Sequence, residues 1–402
     1  MSFFFDGVPP PNQADSTSAA DSLAQGAIIG LNDSSSVAQT IWSFHPKLDQ
    51  SRECKNCHDF NQSFRLFDTP EKLCVSCHEQ ADAEIVHTPV KAGRCIDCHN
   101  PHGTTNYPLL ITQKQMICFE CHDQEEIKPA AAKTIHKPVD ENACTNCHNP
   151  HGSENTAMLL MAPEQLCIQC HSDKEIDATE KLVLHSPFEE RACLDCHNPH
   201  ATENPQMLVE ADDALCFQCH DEEEVKPEGA KTIHSPVEEG ECVACHNPHA
   251  TENPQMLVEA DAALCFQCHD EEEIKPKGAT TIHSPVEEGE CIACHSPHAT
   301  ENPLMLVEAD DALCFQCHDE EEIKPAGATT IHSPVEYGEC IVCHNPHATE
   351  NPRMLVEAGN ALCLQCHDEE DLSSQDGHKN EANTVCYVCH NPHSAAKEFL
   401  MK

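Results

Sequence analysis

All 30 cysteines of the 402-residue chain fall in one pattern, Cys-x-x-Cys-His, repeated fifteen times. The pairs are Cys54 and Cys57, Cys74 and Cys77, Cys95 and Cys98, Cys118 and Cys121, Cys144 and Cys147, Cys167 and Cys170, Cys193 and Cys196, Cys216 and Cys219, Cys242 and Cys245, Cys265 and Cys268, Cys291 and Cys294, Cys314 and Cys317, Cys340 and Cys343, Cys363 and Cys366, and Cys386 and Cys389. The histidines that follow are His58, His78, His99, His122, His148, His171, His197, His220, His246, His269, His295, His318, His344, His367 and His390. Residues three apart share one face of a helical turn, so both thiols reach the vinyl groups of one haem and the adjoining imidazole reaches its iron. Disulfide frameworks and zinc sites also pair cysteines, but neither asks for a histidine after every second one. The pattern therefore reads as fifteen covalent haems c with these histidines as proximal ligands.

Fifteen further histidines match the haems in number. Eight precede a motif: His45 by nine residues, and His87, His136, His185, His234, His283, His332 and His378 by eight. Seven follow a motif histidine by three: His102, His151, His200, His249, His298, His347 and His393, in Asn-Pro-His or, at Ser296, Ser-Pro-His. Fixed offsets and equal counts make them candidate sixth ligands, which predicts saturated irons.

Chain reach suggests a pairing. Eight residues span up to roughly 25 Å, enough to round a haem's rim, so His87 is expected opposite His99, on the haem of Cys95. Three residues span at most about 10 Å, so each Asn-Pro-His must serve a neighbouring haem. In one register His102 binds the haem of Cys74 and the series ends with His393 on Cys363, closing all irons within one chain. Shifted by one, His102 binds Cys118, leaving the Cys74 haem open and His393 spare, and ligation between copies would grow an open head-to-tail homopolymer.

The histidines from His87 to His332 recur every 49 residues, each opening a unit with two motifs. The last step, to His378, shrinks to 46 residues, and the first motif lacks an Asn-Pro-His, as expected of capping units. The expected organisation is an arm or docking segment over 1–44, an atypical dihaem cap over 45–86, six dihaem repeats over 87–377, and a monohaem cap over 378–402. Proline-rich spacers predict a fold of mostly irregular coil with short α-helices and little β, a linear array of 49-residue dihaem repeats wrapped around a haem chain. A short helix is expected over Asp212 to His220.

Only 4% of residues are Phe, Trp or Tyr, too few for an ordinary core, and haem would fill the interior. The formal charge of -46 excludes nucleic acid as a partner. Ferric haems with their propionates would take it to roughly -61, a polyanion suited to solubility and to basic redox partners or divalent cations. The acidic runs Asp221 to Glu224 and Asp270 to Glu273 are expected to be solvated loops, with calcium capture the competing reading. Met207, Met256, Met305 and Met354 are expected to pack against haem or helix. No segment has the roughly 20 apolar residues of a membrane span. The start, with Phe3, Phe4 and Phe5, lacks the features of a signal peptide; since haem attachment follows export, an upstream leader is expected to have been removed.

The H-S-P-V, C-x-x-C-H-N-P-H and L-C-F-Q-C-H elements at His234, Cys242 and Cys265 resemble the doubled C-x-x-C-H multihaem cytochromes c, over about residues 45 to 395. The resemblance implies a periplasmic or cell-surface carrier in respiratory electron export, dealing with redox proteins or extracellular acceptors; some multihaem cytochromes polymerise into filaments. The missing Asn-Pro-His after His58 departs from the pattern and leaves the ligation of that terminal haem open. Saturated irons favour single-electron conduction at low potential over the alternative, a nitrite-type reductase with an open iron position.

Overall fold

In a computed structural model, the structure describes residues 43–45, 54–172, 182–374, 377–378 and 384–402. Apart from Ser43 and Phe44, the arm expected over 1–44 lies outside the described residues. The chain falls into two compact units, Met1–Thr179 with Ser186–Ala211, and Glu180–His185 with Asp212–Lys402. Each is built of turns, one-turn helices and two-residue strands, as the spacers predict. No helix among the described residues is long and apolar enough to cross a membrane.

One repeat shows the local rules. His234 caps a single helical turn, Ser235–Glu238, which Pro236 starts with its fixed φ. Gly240 ends it at φ 76°, a conformation that glycine adopts without strain, whereas Asn142 and Arg191 hold the same position in earlier repeats at φ 55° and 58°. The first motif follows as the 3-10 turn Cys242–Ala244, closed by His246 N–H on the Cys242 carbonyl at 3.0 Å. The strand Ala250–Thr251 and the turn Pro254–Met256 lead to the helix Asp261–Cys265, which delivers the second motif. In the preceding repeat the corresponding helix is Asp212–Cys216, shorter than the expected span to His220, because the chain tightens into turns once Cys216 is placed.

The acidic runs have a local purpose. Asp221 and Asp270 accept from the N–H of Glu223 and Glu272, capping the turns Glu222–Val225 and Glu271–Ile274. Their glutamates sit in the first turn, where negative charge meets unsatisfied N–H groups. These segments are thus capped helical turns rather than loops.

Repeats are tied to one another by antiparallel strand pairs of two residues each. Thr232–Ile233, just ahead of His234, pairs with Ala299–Thr300 in the repeat after the one that His234 opens, and Ile85–Val86 with Gly152–Ser153. The only buried apolar residues among those described are Leu109, Leu110, Ala201, Ala348 and Ala395, and no large side chain is fully buried. Side chains alone therefore build no core; the small residues at these strands allow close backbone approach but contribute little apolar area.

Candidate haem sites

Among the described residues, histidine rings face one another in pairs whose centres lie 5.9 to 6.2 Å apart, fourteen of which follow. Aromatic rings in ordinary contact spread over about 4.5–7 Å between centres, whereas these separations recur between 5.9 and 6.2 Å. A metal-bound imidazole nitrogen sits about 2.0 Å from its ion, so two imidazoles on opposite sides of one ion hold their ring centres roughly 6 Å apart. The gap therefore fits an iron.

Except at His378, the pairs follow a register other than either expected one. His87 faces His122, not His99; likewise His136 faces His171, His185 faces His220, His234 faces His269, His283 faces His318 and His332 faces His367. The upstream histidine thus meets the second motif of its own repeat. The first motif is met by the Asn-Pro-His or Ser-Pro-His of the next repeat or cap: His99 faces His151, His148 faces His200, His246 faces His298, His295 faces His347 and His344 faces His393. At the ends His45 faces His78, His58 faces His102, and His378 faces His390 of its own motif. The two loose ends of the head-to-tail scheme, the Cys74 site and His393, are thus both paired within the chain, and so is His58. His197 and His249, one in each unit, remain sequence-based candidates.

Backbone structure explains why reach failed as a guide. The upstream histidine is docked on the next repeat: His234 N–H donates to the His298 carbonyl at 2.9 Å and its ring Nδ1 to the Pro297 carbonyl at 3.0 Å. His87, His136, His185, His283 and His332 make the same two bonds, to the Pro-His of Pro150, Pro199, Pro248, Pro346 and Pro392. One Ser-Pro-His or Asn-Pro-His segment therefore serves both sites of the preceding repeat, orienting one imidazole and supplying another.

The first-motif imidazoles are oriented by a different carbonyl. His246 Nδ1 donates to Gln255 at 2.9 Å, and His148, His197, His295, His344 and His390 donate to Ala157, Gln206, Leu304, Arg353 and Phe399. A carbonyl can only accept, so in both groups Nδ1 carries the proton and the lone pair is left on Nε2, the tautomer a metal needs. The carbonyl is aimed by two consecutive left-handed residues, Gln255 at φ 56° and Met256 at φ 61°, and the Met256 carbonyl in turn accepts from Asn247 N–H at 2.7 Å. The repeated methionines thus carry a backbone role that the sequence reading missed.

Burial holds the imidazoles of His99, His200, His298, His347 and His393 below the ordinary histidine range, in the neutral, metal-binding form. Burial, and then the neighbouring thiols of Cys95, Cys291, Cys340 and Cys386, push Cys74, Cys265, Cys314 and Cys363 up to about 11. A second motif and the first motif after it thus bring their leading sulfurs together. Among the described residues no three His, Cys, Asp or Glu side chains converge as a zinc or calcium site requires. Opposed imidazole pairs beside paired thiols suit a macrocycle that leaves its iron two axial positions.

The doubled CXXCH motif family matches residues 87–127, 136–176, 185–225, 234–274, 283–323 and 332–372, more than half the chain. The chain belongs to this family. As a doubled CXXCH protein it is a multihaem c-type cytochrome, and its work is electron transfer. Each matched segment opens on an upstream histidine and closes just beyond the second motif, so the pair His87 and His122 lies inside one matched segment whereas His99 and His151 lie in successive ones. No curated protein matches this cytochrome.

Proposed function

We propose that the chain carries fifteen haems c, one on each motif, and passes single electrons along them in sequence order, outside the cytoplasm. The imidazole pairs at 6 Å carry this reading, because they offer each described site two opposed ligands and leave no axial position for substrate. Haem c supplies a one-electron ferric/ferrous couple. The protein's part is to hold attachment points close: the adjoining sulfurs of Cys74 and Cys95, Cys265 and Cys291, and Cys314 and Cys340 set successive motifs side by side. Two imidazoles per iron, each oriented by a carbonyl or a docked backbone, favour low potentials and little rearrangement on reduction.

Pairing of His45 with His78 and of His393 with His344 supports a conductor whose ligands come from its own chain. Donors and acceptors are redox proteins or extracellular acceptors; a basic partner is favoured by the charge of -46. Mass spectrometry and pyridine haemochrome spectra of the exported protein are expected to count fifteen haems, all low-spin and unable to bind carbon monoxide when reduced. Fewer haems, or a fraction that binds carbon monoxide, would overturn the saturated wire and revive a reductase.

A further inference from the structure

The geometry points to one electronically distinct haem near the N-terminal end: the site at Cys74, held between His45 and His78, has crossed imidazole planes and is the easiest of the described sites to reduce. The inference rests on the bis-histidine reading above. His45 and His78 meet at 80°, whereas the other thirteen described pairs lie between 10° and 39°. The separation of rings is ordinary, 5.9 Å, so only orientation differs.

The cause is legible in the chain. Every other upstream histidine from His87 to His332 stands two residues before a proline, and His87, His136, His234, His283 and His332 each cap a helical turn. His45 is followed directly by Pro46. A proline restricts its preceding residue to extended geometry, so His45 leaves the strand position differently although Ser43 is pinned to Thr104 in both directions, at 2.7 and 2.9 Å.

Orientation matters because each imidazole donates π density into the one iron dπ orbital that its ring plane selects. Near-parallel rings push the same orbital, which rises and holds the ferric hole, stabilising the oxidised iron. Crossed rings push two different orbitals almost equally, so the ferric iron loses that stabilisation and the couple moves to higher potential. Near-degenerate orbitals also leave orbital angular momentum unquenched, which gives a ferric electron paramagnetic resonance signal of very large anisotropy. A haem of higher potential near one end of the row would hold its electron longest and fix where charge rests between transfers.

The test is electron paramagnetic resonance of the fully oxidised holoprotein during a redox titration. A single low-field, highly anisotropic feature is expected, integrating to one spin in fifteen, disappearing at higher potential than the ordinary rhombic signals. The double variant Pro46→Ser, Lys47→Pro restores the His-Ser-Pro order and is expected to convert that feature into the rhombic kind at unchanged haem content. His45→Ala is expected to remove it and add one high-spin haem, which assigns the feature to Cys74 even if the double variant folds poorly. A spectrum that is wholly rhombic and low-spin, a low-field feature that survives His45→Ala, or one that titrates with the rest would overturn the inference and leave the bis-histidine reading intact. A high-spin signal in the unaltered protein would overturn that reading instead.

Discussion

The two sites of a repeat differ in what they hold together. The second-motif pair, His234 with His269, joins residues 35 apart inside one repeat; the first-motif pair, His246 with His298, reaches into the next. Yet both lean on the same Ser296–Pro297–His298 segment, through its carbonyls in one case and its imidazole in the other. A repeat is therefore incomplete alone. One of its imidazole pairs is completed by its neighbour and the other is oriented by it, which is how a chain with almost no apolar core can propagate order from unit to unit.

The largest effect expected is loss of both kinds of site at once. Produced in a host without haem attachment, the chain keeps only its short strands and turns, which bury five apolar residues among those described. Circular dichroism should then show an unfolded chain cleaved throughout by protease at a concentration that spares the holoprotein. A protease-resistant apoprotein would sink the view that haem replaces the core.

Next in size, His298→Ala and His234→Ala should each turn one haem high-spin, but with different mechanical consequences. His298→Ala cuts the imidazole link between repeats, so amide exchange should quicken at the paired strands Thr232–Ile233 and Ala299–Thr300. His234→Ala keeps its N–H on the His298 carbonyl, and those strands should stay protected. Equal exchange in the two variants would erase the distinction.

How much of this was readable from the chain turns on what fixes each residue. The motifs, the 49-residue period and the two histidine classes are covalent facts and could be counted. The three-residue reach of Asn-Pro-His also excluded self-ligation, and His102 does face a neighbour's histidine. The reach of eight residues was realised only where His378 faces His390, because the docking of His87 on Pro150 and His151 comes with strand pairing 66 to 68 residues away, which no local pattern announces. Nor did the left-handed turns announce themselves: Ala157, Gln206, Leu304 and Arg353 occupy positions where glycine or asparagine would have been the signal.

Those turns set the third prediction, confined to the first-motif side. Gln255→Val places a β-branched residue at φ 56° and should cost about 1–2 kcal/mol, while Gln255→Gly should be neutral within about 1 kcal/mol. Because the Gln255 carbonyl holds His246 Nδ1, the valine variant should also raise the potential of one haem, as the imidazole becomes a weaker donor, with the second-motif haem of Cys265 unmoved. Thermal melts and a redox titration separate the strain from the lost hydrogen bond.

The smallest effect lies where the two kinds of site adjoin. Lys226 reaches from the turn after one second motif to Asp213 at 2.6 Å, over the Phe217 ring at 5.2 Å, and Lys324 does the same with Asp311 and Phe315. In the repeat between them Ala262 stands where Asp213 and Asp311 do, so Lys275 keeps the ring contact, at 5.6 Å, but not this carboxylate. The hydrogen bond to Asp213 raises the Lys226 pKa above its usual value of 10.5, so the pair adds stability below that pH and loses it as pH climbs through the raised value. Asp213→Ala should therefore cost a few tenths to about 1 kcal/mol at neutral pH and nothing well above the lysine range, whereas Ala262→Asp should install the same pH-dependent gain. Denaturation midpoints that shift equally at neutral and strongly alkaline pH would show that the aspartate acts through packing rather than through its charge.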